Sequence, residues 1–152
     1  DEKNGAAYNR LGILYDKQKE YKDARDCFEI ASSIEPTASS RHNLGIIYFE
    51  TENYPKAATA FEEALKLEDQ LAARHIAYAK VQEKLGNRKL MIEELQKAVA
   101  LEPNKESFTL LLAAFRAANM VEAADELEHR MQTQIVTSGQ PKHVSRPKRV
   151  VI

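Results

Sequence analysis

Residues 9–36, "NRLGILYDKQKEYKDARDCFEIASSIEP", place apolar side chains at helical spacing on both sides of a polar break. Tyr8, Leu11, Leu14 and Tyr15 form one stripe, and Ala24, Cys27, Phe28 and Ala31 form the next. The break runs from Asp16 to Glu20, so the stretch reads as helix, turn, helix. Residues 43–69, "NLGIIYFETENYPKAATAFEEALKLED", repeat the arrangement 33 positions later. Leu11-Gly12 returns as Leu44-Gly45, Tyr15 as Tyr48 and Tyr21 as Tyr54, while Ala24, Phe28 and Ala31 return as Ala57, Phe61 and Ala64. A glycine inside a helix costs about 1 kcal/mol relative to alanine, so its return at one register implies a packing need that offsets the cost. The spacing assigns that need to close approach of two helices, with Gly12 and Ala24 as the facing small residues. Pro36 closes the second helix, and Pro55 opens another where its missing N–H does no harm.

Outward from this run, composition agrees with an all-α chain. The 152 residues are 43% hydrophobic, with five glycines, five prolines and no tryptophan. Net charge is −1, yet residues 138–152 carry Lys142, Arg146, Lys148 and Arg149 and no acid, so an acidic body is followed by a basic tail. The single Cys27 fits a reducing, cytoplasmic setting and reads as a small core residue. No stretch approaches the roughly 20 apolar residues of a membrane span. The chain opens on Asp1 rather than Met, which leaves an upstream anchor or missing repeats open.

These motifs resemble the tetratricopeptide repeat, a helix–turn–helix unit of about 34 residues marked by W-x2-L-G-x2-Y, then A-x3-F, A and P. Tyr8, Leu11, Gly12, Tyr15, Ala24, Phe28, Ala31 and Pro36 fill its places, with Tyr8 for Trp. Residues 38–71 fill most of them again, departing at Arg41 and Asp69. Residues 72–104 match more weakly, through Tyr78, Ala79, Gly86, Met91, Leu95, Ala98 and Pro103. Residues 105–136 are degenerate, with Leu112 where a small residue belongs, as in a capping unit. The resemblance implies a right-handed superhelical α-solenoid of about four repeats over residues 1–137, with eight helices. Breaks are expected near 18–20, 35–37, 51–54, 68–71, 86–88 and 102–105.

In the family, the first helix of each pair lines a concave groove that takes peptides or protein segments. The resemblance therefore implies a groove of Asn9, Ile13, His42, Asn43, Ile46, Phe49, Ile76 and Lys80, with Asn43 suited to pair with a ligand backbone. The matching faces further along are Glu83, then Thr109, Ala113 and Arg116. One branch of the family clamps chaperone C-termini with two Lys, two Asn and an Arg. Here those places hold Asn9, Ile13, Asn43, Ala73 and Ala77, and only Asn43 agrees.

Catalytic and metal signatures are missing. The histidines His42, His75, His129 and His143 have no paired-ligand spacing and read as solvated or groove-lining. Glu62-Glu63 and Glu93-Glu94 are adjacent on helices and read as solvated faces. No phosphate loop or nucleophile elbow occurs. The expectation is a non-enzymatic interaction module without cofactor, metal or small-molecule substrate, binding a protein or peptide. Four cations without aromatic residues argue against nucleic acid. The rival is a self-assembling scaffold, associating through Val150, Val151 and Ile152 of the tail or through the apolar end face of unit one. A solvated tail and a basic arm for acidic partners are the other readings of residues 138–152.

Overall fold

The computed structural model describes residues 4–138, with side-chain surroundings through residue 134; the tail beyond lies outside the described residues. Among them, eight helices follow one another with no strand: α1 (Gly5–Lys17), α2 (Tyr21–Ile34), α3 (Ala38–Glu50), α4 (Tyr54–Leu67), α5 (Ala72–Lys84), α6 (Arg88–Leu101), α7 (Lys105–Ala117) and α8 (Val121–Ser138). Consecutive helices pack as antiparallel pairs, and each pair stacks on the next through its second helix. The result is a right-handed superhelical α-solenoid of four helix pairs. The repeat pattern anticipates six of the turns, while the seventh, at residues 118–120, carries no mark that it reads. Its signal was Asn119, whose left-handed φ of 58° shares a register with Lys19, Glu52 and Gly86 (62°, 60° and 77°). Each pair turns through one such residue, and asparagine tolerates it better than most.

The glycine of each of the first two units serves a ring rather than a backbone. A Cβ on Gly12 would lie 2.6–2.9 Å from the Phe28 ring, and one on Gly45 would lie 2.8–3.0 Å from the Phe61 ring. The atoms nearest the Gly12 notch are thus those of Phe28, one turn beyond the Ala24 that the spacing had singled out. The aromatic side chain four residues beyond the alanine leans back across the interface and fills the notch. Tyr15, Tyr21 and Tyr48 then pack around Ala24, Phe28, Leu44 and Ile47.

Stacked units are also joined at their connections. Ser40 Oγ donates to the Glu35 carbonyl (3.4 Å) and Ser107 Oγ to the Glu102 carbonyl (2.7 Å), so the third residue of one helix binds the C-cap of the helix before it. Both serines also complete capping boxes with Thr37 and Asn104. The connection before α5 lacks this serine, and Arg74 replaces it. Its Nη1 donates to the Glu68 carbonyl (3.2 Å) and pairs with the Glu68 carboxylate (2.6 Å). Beside it His75 donates from Nε2 to the Asp69 carbonyl (2.8 Å), and its Nδ1 faces Glu94 Oε2 at 2.6 Å. Lys97 donates to the other Glu94 oxygen (2.7 Å).

His75 and Glu94 are both buried, which overturns the reading of His75 as solvated or groove-lining and of Glu94 as part of a solvated face. Asp69 replaces the proline that ends the first unit, and the longer connection needs a side chain from outside to hold it. The buried Cys27 thiol has its pKa raised by desolvation, then by the Asp23 and Asp26 charges. No helix among the described residues is long and apolar enough to cross a membrane.

Three outcomes follow from this packing. Gly45→Ala should destabilise the chain by about 1–3 kcal/mol in chemical denaturation despite its gain in helix propensity. Combining it with Phe61→Leu should cost less than the sum of the two single changes, because the smaller side chain frees the notch. His75→Ala should cost about 3 kcal/mol by leaving Glu94 buried with one partner fewer, and denaturation of that variant measures it.

Candidate functional site

Where α3 meets α5, the first helices enclose a cavity of about 340 Å³. Its α3 wall is His42, Ile46, Phe49 and Glu50, and its α5 wall is Ala73, Ile76, Ala77 and Lys80. Phe61 reaches it from α4, and Glu106 closes it from α7. The two alanines stand one turn apart on α5, and their small side chains leave the space open. Ile46, Phe49 and Ala77 are half-buried, Ala73 is exposed, and Ile76 is largely taken up by the core behind it. Phe49 is steadied by an edge-on contact with Tyr54, with ring centroids 5.5 Å apart. Charge is confined to Glu50, Lys80 and Glu106.

His42 forms part of the cavity wall against the Phe61 ring, with centroids 5.2 Å apart and planes tilted by 58°. The phenylalanine that fills the Gly45 notch thus also sets the position of a groove side chain. His42 Nδ1 is buried without a hydrogen-bond partner in the protein. Burial first, and the Arg74 charge second, lower the His42 pKa to about 4, so the ring is neutral at physiological pH.

A second hollow of about 260 Å³ follows along the same side, lined by Lys80, Glu83, Leu110 and Ala113 among others. Lys80 borders both. On the other side of the site, Asn43 Nδ2 donates to Asn9 Oδ1 (3.0 Å), linking α3 to α1. Asn43 is thus already half engaged by its neighbour.

Of the residues inferred from the sequence, His42, Ile46, Phe49, Ile76 and Lys80 line one cavity. Asn9 and Asn43 pair beside it, and Ile13 stands exposed on α1 without lining it. Glu50, Phe61 and Glu106 escaped the repeat reading, since one sits at a helix end, one reads as core and one comes from the degenerate unit. A larger hollow of about 470 Å³ lies around Glu62, Lys66, His75, Glu94 and Lys97. There the polar atoms of His75, Glu94 and Lys97 already bond to one another. Among the described residues, no three histidine, cysteine or acidic side chains gather as a metal site.

Tetratricopeptide repeat profiles match residues 5–37 and residues 36–102. The chain belongs to the tetratricopeptide repeat family. No match among curated proteins reaches significance. Among solved structures, MamA is similar with a TM-score of 0.82 at 17% identity, over 91% of this chain and 82% of that one. YrrB, described as a TPR protein with an unusual peptide-binding site, gives 0.79 at 22% identity, over 88% of this chain and 70% of YrrB. The first TPR of Spaghetti, bound to an HSP90 peptide, gives 0.74 at 20% identity, over 78% of this chain and 96% of that domain. At these identities the likeness is one of fold.

The depressed pKa of His42 has a sign that can be measured. In the unfolded chain the ring titrates near its ordinary value of 6.5, and in the folded chain near 4. Between these values the unfolded state binds more protons, so the contribution is complete above pH 6.5 and is lost as pH falls toward 4. Its size is roughly 1–2 kcal/mol after allowing for screening at the exposed edge of the ring. His42→Gln should flatten the stability profile across that window in denaturation series at stepped pH.

Proposed function

We propose that this tetratricopeptide repeat chain is a protein-interaction module that holds an extended peptide or protein segment along the first helices. A large apolar side chain of the ligand enters the cavity between α3 and α5. The observation that carries this reading is the cavity itself: about 340 Å³ walled by Ile46, Phe49, Ile76, Ala73 and Ala77, with charge only at its rim. The Asn9 Nδ2 and Asn43 Oδ1 that their mutual bond does not use supply a donor and an acceptor for the ligand backbone, and the hollow beyond Lys80 extends the track. That YrrB has a peptide-binding site and that the Spaghetti domain holds SRMEEVD supports a peptide as the class of ligand.

The chemistry differs from an acidic-tail receptor. Ile13, Ala73 and Ala77 stand where a carboxylate clamp would put charged or amide groups, and Lys80 is the one cation among the described residues lining the cavity. A carboxylate needs several such donors to replace its water. The ligand is therefore read as apolar at its anchor.

Selection from a displayed library of ten-residue peptides tests this. Selected peptides should share a Leu, Ile, Met or Phe anchor, and Ala73→Trp, which fills the cavity from its exposed edge, should weaken them more than about tenfold. Phe49→Ala should weaken them as well, with melting temperature followed because Phe49 also packs on Tyr54. SRMEEVD should not saturate. Peptides that bind equally well to the parent and to Ala73→Trp would place recognition elsewhere.

A further inference from the structure

Among the described residues, His42 is the one uncharged polar side chain in the wall of the α3–α5 cavity. The rest of the lining is aliphatic or phenyl, apart from Glu50, Lys80 and Glu106, which are exposed at the rim. The histidines of α3 and α5 differ in their bonding. Both ring nitrogens of His75 are engaged, one by Glu94 and one by the Asp69 carbonyl. Neither nitrogen of His42 has a hydrogen-bond partner among the described residues. Their surroundings are unlike: Nδ1 is shut off from solvent, whereas Nε2 stays at the accessible edge of the ring.

A neutral imidazole carries one proton, and its place follows from this difference. On Nδ1 it would be a buried N–H without an acceptor, the rarest kind of orphan, so it sits on Nε2, where water can accept from it. The ring is held neutral by burial and by the Arg74 charge, which lower its pKa to about 4; protonation would add the orphaned N–H at Nδ1. His42 therefore gives an otherwise apolar wall a single directional donor. A ligand that fills the cavity displaces water from that edge, and an N–H covered without an acceptor weakens binding by about tenfold. An apolar anchor side chain has no acceptor of its own, which leaves the main-chain carbonyls beside it.

We propose that His42 binds the main chain of the ligand: its Nε2–H donates to a backbone carbonyl of the segment that crosses α3, beside the residue whose side chain enters the cavity. The inference rests on the peptide-groove reading above and names a residue that fixes the peptide in it. Every residue of a peptide has a carbonyl, so this bond discriminates among registers rather than among side chains: it sets which residue lies over the cavity. Phe61 holds the ring in place from behind, with centroids 5.2 Å apart, so the donor is positioned before the ligand arrives.

The test takes a peptide selected on the full chain and lost on Ala73→Trp, with analogues in which each backbone amide in turn is replaced by an ester. An ester carbonyl is a poorer acceptor, so the analogue altered at the contacted residue should bind the parent about fivefold more weakly. His42→Phe keeps a ring against Phe61 but has no N–H. On that variant the unmodified peptide should bind about fivefold more weakly, and the same ester should cost nothing further. His42→Gln, whose amide N–H reaches much the same place, should restore part of both effects. Long-range nitrogen–proton NMR of the free chain should find the proton on Nε2. Melting confirms that each variant is folded, and His42→Ala replaces His42→Phe if the latter is not. Four results overturn the proposal and leave the cavity reading intact: unchanged affinity in His42→Phe, ester effects equal in parent and variant, a dependence on His42 carried by a side-chain oxygen of the peptide, or a proton on Nδ1. If no selected peptide responds to Ala73→Trp, the cavity reading falls and this inference falls with it.

Discussion

The stack depends on how a second helix fills the space left by the first. In units one and two the filler is a phenylalanine ring and the space is a missing Cβ, at Gly12–Phe28 and Gly45–Phe61. At the same register unit three has Ala79 and Leu95, both in the core, and unit four has Leu112 and Glu128. As the first residue grows the second shrinks or leaves the interface, which is what a fixed interhelical volume requires. In the last pair Leu112 takes the space itself, and Glu128 turns to Arg116 at the surface.

This packing reaches the groove through one side chain. Phe61 fills the Gly45 notch on one side and meets His42 on the other, so the geometry of the cavity is set by the same contact that holds unit two together. Burial beside Arg74 then keeps His42 neutral, and a neutral ring against Phe61 preserves the apolar character of the wall. Core and groove are a single layer at this point.

The joints between units solve a separate problem, the orphan carbonyls where a helix ends and the chain turns. Two connections use a serine, at Ser40 and Ser107, and the third uses Arg74 with the His75–Glu94–Lys97 cluster. Replacing a compact hydroxyl by a buried charged cluster follows from the lost proline and the longer connection at Glu68–Leu71. Buried polar groups placed there need partners, and His75 has both ring nitrogens engaged and Glu94 both oxygens.

The fold was legible in residues 9–36 and 43–69, because a packing constraint that recurs in each unit writes itself into the chain at one spacing. Residue type alone announced the helix pairs and the small residues at the interface. It misassigned the burial of His75 and Glu94, which does not recur, and it left the turn at Asn119 unmarked. A single sequence shows which residues share a helix face, and it does not show which faces meet across distant turns. Phe61 beside His42, Glu106 at the cavity mouth and the contrast between open Leu14 and covered Ile47 exist only once the units are stacked. The sequence by itself determined the repeating unit, through local periodicity and size. Stacking decided the cavity and the neutral histidine, because burial belongs to the assembled neighbours of a residue and not to the residue.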